Sequence, residues 1–419
     1  MPRTSLNRAD VDVRLAPLTD VDERIAARFR RTTAARQPVH TCYVPAGRVD
    51  ADTLRNWGDG ALAALDEHAP SAAEFAGIVD VSERRAAEIL PRVRAKLHDS
   101  PVEDLRIDFE DGYGAPGDEA EDADAERTAG VVAEWLRQGT APGNFGLRVK
   151  SFDDPELRAR SVRTLDVFLT ELLARHGGLP EGFLLTFPKV VDVRQVETFV
   201  GILEMLEHTL GLAAGALRFE IQVETTQSIV DTEGRLALPR FIGAGDDRIS
   251  GLHFGTYDYT AGCGLTAAHQ HLAHRACDFA RHVMQVSAAG TGIFLSDGST
   301  NVLPVGDAEQ VRHGWRTHYG LVRRSLEHGF YQGWDLHPAQ LVTRYAAVFA
   351  EFRESAESEA ARLAAYVSAT EGAVLDEPAT ARALAASFVR ALDNGATDAD
   401  EVARMTGVSE SELRRLGRV

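Results

Sequence analysis

Eight short β-rich runs alternate with helix-length segments along most of the chain, and this alternation limits the fold more than any other feature of the sequence. Each run is bounded by glycine, proline or acidic residues, as strands often are. The runs occupy residues 39–46, 102–111, 145–152, 182–190, 217–223, 250–254, 292–298 and 330–338. Eight strands alternating with helices predict a (β/α)8 TIM barrel, with a doubly wound sheet as the main rival.

The pattern divides the chain into three predicted parts. Residues 1–38 form a polar N-terminal arm, residues 39–355 the barrel, and residues 356–419 a helical C-terminal extension. The stretch 405–416 resembles the turn and second helix of a helix-turn-helix. Six basic and six acidic residues occur from position 381 onward, so the sequence favours a packing or oligomerisation segment over a DNA-binding one.

Charge and cysteine content exclude several classes of function. The net charge of -18 opposes nonspecific binding to nucleic acid or to an anionic membrane, since both need a basic surface. Three cysteines, none in a C-x-x-C pair, indicate neither a disulfide framework nor a structural zinc site. No apolar stretch approaches transmembrane length. We therefore expect a cytoplasmic protein that binds a small molecule, with no nucleic-acid or membrane partner.

The fifth and sixth runs each lead to a carboxylate, Glu224 and Asp258. If these runs are neighbouring parallel strands, both side chains leave the sheet at the same rim and converge. Converging carboxylate oxygens are ligands for a hard divalent cation such as Mg²⁺. The alternative is that each acid caps a following helix. We expect a short helix over 225–229, an irregular stretch to residue 247, and a longer helix over 267–287.

Charged residues follow the other strands too, at the rim where a barrel carries its catalytic groups. They are Asp108, Glu110 and Asp111 on the second strand, Arg148 and Lys150 on the third, Lys189 on the fourth, Asp297 on the seventh, and Asp335 and His337 on the eighth. This concentration of charge indicates a functional mouth. Because two of the three lysines of the chain stand there, a Schiff-base aldolase that uses Lys150 or Lys189 is a mechanistic alternative.

Several motifs, in order along the chain, resemble those of the HpcH/HpaI aldolase and citrate lyase β-subunit superfamily, which includes malyl-CoA lyase relatives. They are RIDFEDGYG (106–114), GLRVKSF (146–152), FPKVVD (187–192), IQVETTQSIVD (221–231), FGTYDYTAGCGL (254–265), LSDGS (295–299), GWDLHPAQL (333–341) and GAVLDEPATARAL (372–384). The resemblance implies a carbon–carbon lyase or aldolase that uses Mg²⁺, with Mn²⁺ as an alternative. Its substrate would be a 2-oxo or hydroxy acid, free or as a CoA thioester. A CoA-independent, pyruvate-type class II aldolase is the nearest alternative.

The resemblance also implies roles for individual residues. Glu224 and Asp258 match the metal-binding carboxylates, and Arg148 matches the arginine that holds the substrate carboxylate. Glu110 and Asp111 match an acidic pair that supports the waters of the metal. Such residue types suit the chemistry, because an enolate needs a preorganised cation and arginine binds a carboxylate through two hydrogen bonds.

Three further residues are candidates for the site. Asp376 matches, more loosely, a C-terminal carboxylate that acts as acid or base, in some members from a neighbouring subunit. A site shared in this way implies a homo-oligomer, a trimer or hexamer. Lys150 stands where the resembled motif has a neutral residue, and Lys150 and Lys189 join Arg148 as candidate substrate ligands.

Overall fold

The barrel strands alternate with helices, and each strand overlaps the run that predicted it. The computed structural model describes residues 5–29, 36–368 and 377–417. The strands are β1 His40–Pro45, β2 Asp104–Asp108, β3 Asn144–Arg148, β4 Phe183–Phe187, β5 Phe219–Val223, β6 Ile249–Phe254, β7 Phe294–Ser296 and β8 Gly333–Asp335.

The helices surround these strands and continue beyond them at both ends of the chain. They are α1 Arg8–Leu15, α2 Leu18–Phe29, α3 Thr53–His68, α4 Ala72–Val79, α5 Glu83–Asp99, α6 Asp118–Gln138, α7 Pro155–His176, α8 Val193–Leu210, α9 Thr226–Ile229, α10 Leu238–Ala244, α11 Thr256–Gly262, α12 Arg275–Ala288, α13 Ala308–Glu327, α14 Pro338–Val367, α15 Pro378–Asn394, α16 Ala399–Thr406 and α17 Glu410–Leu416. Short 3₁₀ turns lie at Ala46–Arg48 and Ala267–His269.

All strand pairings are parallel and follow chain order around the barrel. The sheet has the order β7-β6-β5-β4-β3-β2-β1-β8. An isolated parallel bridge between Ser296 and Gln332 joins its two ends. The strands therefore form a nearly closed barrel with helices around it. The predicted (β/α)8 fold is confirmed, and the doubly wound alternative is excluded.

Alternation along β2 separates apolar residues of the outer layer from charged residues of the barrel interior. On β2, Leu105 and Ile107 belong to the buried apolar core, whereas Arg106, between them, lies inside the barrel. There the Arg106 guanidinium pairs with Asp104 and, at 2.8 Å, with Glu220 of β5. Because strand side chains alternate between the two faces, charged residues of every second position reach the barrel axis and its rim.

The connections on either side of β6 differ from the prediction. The stretch between α9 and β6, expected to be irregular, contains α10, and Asp258 lies in α11 rather than at a strand end. The helix expected over 267–287 begins only at Arg275, where His274 accepts a hydrogen bond from the backbone N–H of Ala276 at 3.2 Å.

The C-terminal extension packs against the barrel through the long helix α14. This helix runs without a break through the predicted boundary at 355/356. Its Arg353 pairs with Glu401 of α16, and Arg92 of α5 contacts the same carboxylate at 3.0 Å. Leu413 of α17 is fully buried. Within the described ranges, no helix combines the length and apolar character needed to cross a membrane.

Candidate active site

The loop after β2 is built around the carboxylate of Asp108. Its Oδ1 accepts a hydrogen bond from the backbone N–H of Glu110 at 2.9 Å, and its Oδ2 accepts one from Gly112 at 3.0 Å. A Cβ at Gly112 would lie 2.5 Å from Asp108 Oδ2, so this close turn requires glycine. The loop thereby presents Glu110 and Asp111 at the carboxyl end of the barrel.

Arg148, the last residue of β3, is fixed by the same aspartate. Its Nε and Nη2 donate to the two oxygens of Asp108 at 2.7 and 2.6 Å, and its Nη1 lies 3.1 Å from Glu110 Oε2. The guanidinium also lies over the ring of Tyr43, 4.9 Å from its centroid. Because Arg148 is buried and contacts both Asp108 and the Tyr43 ring, its guanidinium has little freedom to reorient. It faces the loop that carries Glu110.

Lys189 follows β4 and places a cation among carboxylates from three strands. Its ammonium contacts Glu110, lies 2.8 Å from Asp111 Oδ2, and lies 3.8 Å from Asp258 Oδ2. Its backbone N–H donates to Glu224 Oε1 at 2.9 Å. The residue has φ of 50°, a left-handed conformation that costs free energy for a residue with a side chain. We call Glu110, Asp111, Glu224 and Asp258 the acidic cluster.

Glu224 is the most deeply buried member of the acidic cluster. It follows β5 directly and is 1% exposed, and its Oε2 accepts a hydrogen bond from the side chain of Gln222. Burial raises the pKa of Glu224 to about 8; Lys189 opposes this shift, and Glu110 and Asp258 add to it. A carboxylate in this position is strongly stabilised by any additional positive charge.

Asp258 lies in the first turn of α11, on the neighbouring side of the mouth. Strands β5 and β6 are paired with Val223 opposite Phe254, as the sequence argument required. The side chain of Asp258 is 48% exposed, and its carboxylate shares the Lys189 ammonium with Glu110 and Asp111. The structure therefore brings together both predicted metal ligands and the predicted acidic pair around one position.

The charge balance of this mouth fits a divalent cation. Four carboxylates of the acidic cluster face one ammonium and the guanidinium of Arg148, which also neutralises Asp108. Burial raises the pKa of Glu110 in spite of Arg148 and Lys189. Hard oxygen donors in negative excess suit Mg²⁺, which binds through one or two carboxylates and keeps several waters. Among the residues described, no three acidic, histidine or cysteine side chains are already gathered into a metal-ligand group.

Other predicted site residues lie away from the acidic cluster. The ammonium of Lys150 donates to the carbonyl of Phe109 at 2.7 Å and pairs with Glu121 at 3.0 Å, which ties the β2 loop to α6. It is buried behind the loop, and within the described part of the chain its ammonium contacts no member of the cluster. Asp376 lies outside the described residues.

Two acids assigned to the mouth from their strand-end positions are instead structural. Asp297 accepts hydrogen bonds from Arg281 at 2.7 Å and from Ser325 at 2.6 Å, both on outer helices. Asp335 is fully buried and pairs with Arg344 of α14 at 2.9 Å, among other partners. The interpretation of these two acids as mouth residues was wrong, because their side chains turn outward toward the helices.

Sequence reasoning missed the positioning role of Asp108 and the contribution of Gln222. Asp108 was recognised as a strand-end charge, but the spacing gave no sign that its carboxylate would hold both Arg148 and the following loop. The period of two along β5 was a usable signal for Gln222, since it places residues 222 and 224 on the same face.

The fold and this mouth define a class: a (β/α)8-barrel protein with an acidic cluster beyond the carboxyl ends of strands β2, β5 and β6, around Lys189, which follows β4. A family model described as Domain of unknown function (DUF6986) matches residues 18–419. The chain therefore belongs to the DUF6986 family.

A lyase of known activity is similar to part of this sequence, and two solved structures are similar to its fold. An L-malyl-CoA/beta-methylmalyl-CoA lyase of Haloarcula marismortui is 34% identical over 115 residues, which cover 27% of this chain and 30% of that protein. A citrate lyase of Burkholderia xenovorans LB400 aligns with a TM-score of 0.58 and 20% identity over 88% of this chain and 97% of its own. A Haloferax volcanii malate synthase, in a magnesium/glyoxylate complex, aligns with a TM-score of 0.50 and 15% identity over 92% and 99%.

These likenesses are consistent with the superfamily that the motifs resemble. At 20% and 15% identity, the two solved structures show a common fold. The sequence match to the malyl-CoA lyase adds a segment of clear similarity, although it spans less than a third of that relative.

Proposed function

We propose that this protein is a carbon–carbon lyase or aldolase that depends on Mg²⁺, or on Mn²⁺ in its place. Its substrate is a 2-oxo or hydroxy acid, either free or as a CoA thioester, and the reaction passes through an enolate. The name of the malyl-CoA lyase relative and the fold shared with a citrate lyase support this class of chemistry.

One observation carries the proposal: carboxylates from the ends of different strands surround a single cationic position. Lys189 contacts Glu110, Asp111 and Asp258 through its ammonium and Glu224 through its backbone N–H. Repulsion among acids would normally spread such groups apart. Their convergence beside a buried arginine is what a site for a cation and an anionic substrate needs.

Glu224 and Asp258 are the residues that would hold the metal, with Glu110 and Asp111 supporting its water ligands. When bound, a divalent cation supplies a Lewis acid that polarises the substrate carbonyl and stabilises negative charge on the enolate. Glu224 is already oriented by hydrogen bonds to both oxygens. The side chain of Asp258 is half exposed on α11, so its carboxylate has room to reorient toward a bound metal.

Arg148 would bind and orient the substrate carboxylate. Its guanidinium is held by Asp108 through Nε and Nη2, and its Nη1 points toward Glu110 at the mouth. A planar guanidinium fixed in this way offers hydrogen bonds in a defined direction, which lysine does not. Arg148 thus aligns the bond to be cleaved relative to the acidic cluster.

Proton transfer falls to acidic residues near the bound substrate. Glu110, whose pKa is raised by burial, lies between Arg148 and Lys189 and can accept the proton of a substrate hydroxyl. Asp376 remains a proposed second acid or base, contributed by the C-terminal segment of the same or a neighbouring subunit. A trimer or hexamer is the proposed assembly in which such sharing takes place.

The contacts of both lysines disfavour the Schiff-base alternative. A nucleophilic lysine must lose its proton, and burial favours that loss. Burial alone would lower the pKa of Lys189, but the carboxylates of Glu224 and Glu110 outweigh it and raise the pKa. Lys150 is paired with Glu121 and bound to a backbone carbonyl. We keep Lys189 as a ligand of the acidic cluster and of the substrate.

The experiment is a lyase assay on hydroxy acids supplied in parallel as free acids and as CoA thioesters. With Mg²⁺ present, we expect release of an oxo acid from one of the two series, which also decides between CoA-dependent and CoA-independent cleavage. Chelation with EDTA should abolish the activity and added Mn²⁺ should restore it. Full activity in EDTA would refute the proposal.

Charge-neutral substitutions test the assigned ligands. We expect Glu224→Gln and Asp258→Asn to lower kcat/KM by at least about 100-fold, since each removes a charged metal ligand. Glu233→Gln is the matched control, because Glu233 lies in the same β5–β6 connection and pairs with Arg235, outside the acidic cluster. If Glu224→Gln and Asp258→Asn keep the kcat/KM of the wild type, as Glu233→Gln should, Glu224 and Asp258 are not the metal ligands.

A further inference from the structure

Gln222 lies in the interior of the barrel, directly beneath the acidic cluster. It is the fourth residue of β5, is 1% exposed, and stands opposite His253 of β6 in the strand pairing. Because side chains alternate along a strand, Gln222 and Glu224 point to the same face. A buried amide in this position must find hydrogen-bond partners among the groups inside the barrel.

The amide of Gln222 binds one oxygen of Glu224, and a backbone group binds the other. Gln222 Nε2 donates to Oε2, while the N–H of Lys189 donates to Oε1 at 2.9 Å. A Glu224 carboxylate that binds a metal is ionised and only accepts hydrogen bonds, so in that state the NH₂ end of the amide faces it. Gly255 closes a third side, since a Cβ there would lie 2.7 Å from Oε2.

The hydrogen bond to Glu224 is the one side-chain bond of Gln222 within the described residues. Its Oε1 is buried and has no partner there. By contrast, Gln332, another buried glutamine of the barrel interior, donates to Thr41 at 2.9 Å and has no contact with the acidic cluster. The side chain of Gln222 thus donates a hydrogen bond to Glu224 while its own carbonyl oxygen stays without a partner among the described residues.

We propose that Gln222 is a positioning residue that holds the Glu224 carboxylate in the orientation in which it can share a divalent cation with Asp258. This inference rests on the proposed metal-dependent function and assigns a residue that acts through a ligand without touching the metal. Groups that hydrogen-bond to metal ligands set ligand orientation, and their loss typically lowers metal affinity by about 10- to 100-fold.

The test measures Mn²⁺ binding to the purified full-length protein by electron paramagnetic resonance titration, without substrate. Gln222→Met keeps a side chain of similar length and removes the donor. We expect the dissociation constant for Mn²⁺ to rise about 10- to 100-fold, with the melting temperature near that of the wild type. If Gln222→Met fails to fold, Gln222→Asn replaces it, since its shortened amide cannot reach Oε2 and predicts the same direction of change.

Gln332→Met is the control for a general disturbance of the barrel interior and should leave Mn²⁺ affinity unchanged. Binding by the Gln222 variant within twofold of the wild type would overturn the inference while leaving the proposed function intact. An equal loss in Gln332→Met would also overturn it, because the effect would then not be specific to Glu224. Failure of the wild type itself to bind Mn²⁺ would reject the proposed function and this inference together.

Discussion

At the scale of single residues, Glu224 depends on the absence of a side chain at Gly255. A methyl group there would lie 2.7 Å from Glu224 Oε2, and the backbone φ of Gly255 is an ordinary -100°. Glycine is therefore required because the Glu224 side chain lies so close to this backbone position, and not because of the backbone conformation. We expect Gly255→Ala to displace the carboxylate, to weaken Mn²⁺ binding, and to lower the free energy of unfolding by about 1 to 3 kcal/mol.

Urea unfolding and Mn²⁺ titration of the same variant check both effects. Gly262→Ala is the matched control, since Gly262 is the last residue of α11, the helix that Gly255 precedes, and its Cβ would meet Thr226 at an ordinary 3.5 Å. We expect a large loss of stability and of Mn²⁺ affinity for Gly255→Ala, and little loss of either for Gly262→Ala. Similar behaviour of the two variants would show that Gly255 is not needed to seat Glu224.

The sequence indicated the charged side chains of the site better than their partners. Glu224 and Asp258 could be paired because they follow consecutive strands, and parallel strands place their ends at one rim. Asp335 and Asp297 met the same criterion but turn toward outer helices. A shift of one residue reverses the face of a strand, and the exact strand end is the feature that a sequence defines least well.

At the scale of elements, the β5–β6 and β6–β7 connections were the hardest to predict. Helix α10 contains Pro239 and Gly243, which favour the irregular structure that we expected. Proline is tolerated because it occupies the first turn, where no intrahelical N–H bond is lost. The periodicity over 267–287 placed the start of the next helix too early in the chain. Residues Ala267–His269 instead form a 3₁₀ turn, and α12 begins only after His274.

The three C-terminal helices form a packed unit, which bears on the DNA-binding alternative. In α17, Leu413 is fully buried, while Arg414 pairs with Asp393 and Glu410 at 2.7 and 2.8 Å. A recognition helix needs an accessible face with unpaired basic residues. Helix α17 instead uses its apolar face for packing and pairs one of its arginines twice.

We expect Leu413→Ala to lower the free energy of unfolding by about 2 to 4 kcal/mol, because it leaves a cavity between α17 and its neighbours. Chemical denaturation measures the loss, and limited proteolysis should show faster cleavage after residue 395. Met205→Ala, on an exposed face of α8, should change stability by less than about 0.5 kcal/mol. Equal stability of the Leu413 variant and the wild type would contradict the packing role.

At the scale of the whole molecule, the barrel is unusual in closing around buried charge. Glu220, Arg106 and His253 lie together in its interior, with Glu220 Oε1 at 2.8 Å from Arg106 and 3.1 Å from His253. Burial alone would raise the pKa of Glu220, but Arg106 and His253 outweigh it and lower the pKa to about 2. The folded barrel therefore binds fewer protons at this residue than the unfolded chain does in mild acid.

This depressed pKa predicts how stability depends on pH. The contribution of ionised Glu220 is fully present above the unfolded pKa of about 4.3 and is lost as pH falls toward about 2. Urea unfolding of wild type and Glu220→Gln should differ by roughly 2 to 4 kcal/mol at pH 7, and the gap should narrow between pH 5 and pH 3. If the difference in unfolding free energy between the two proteins instead grows as the pH falls, Glu220 is not ionised in the folded barrel.

The most direct test of the account is a crystal structure of the protein grown with Mn²⁺, with anomalous diffraction recorded at the manganese edge. We expect one anomalous peak at the mouth of the barrel, within about 2.0 to 2.3 Å of carboxylate oxygens of both Glu224 and Asp258. No peak there, with the Lys189 ammonium still in contact with Glu110 and Asp111, would contradict the claim that the acidic cluster is a metal site.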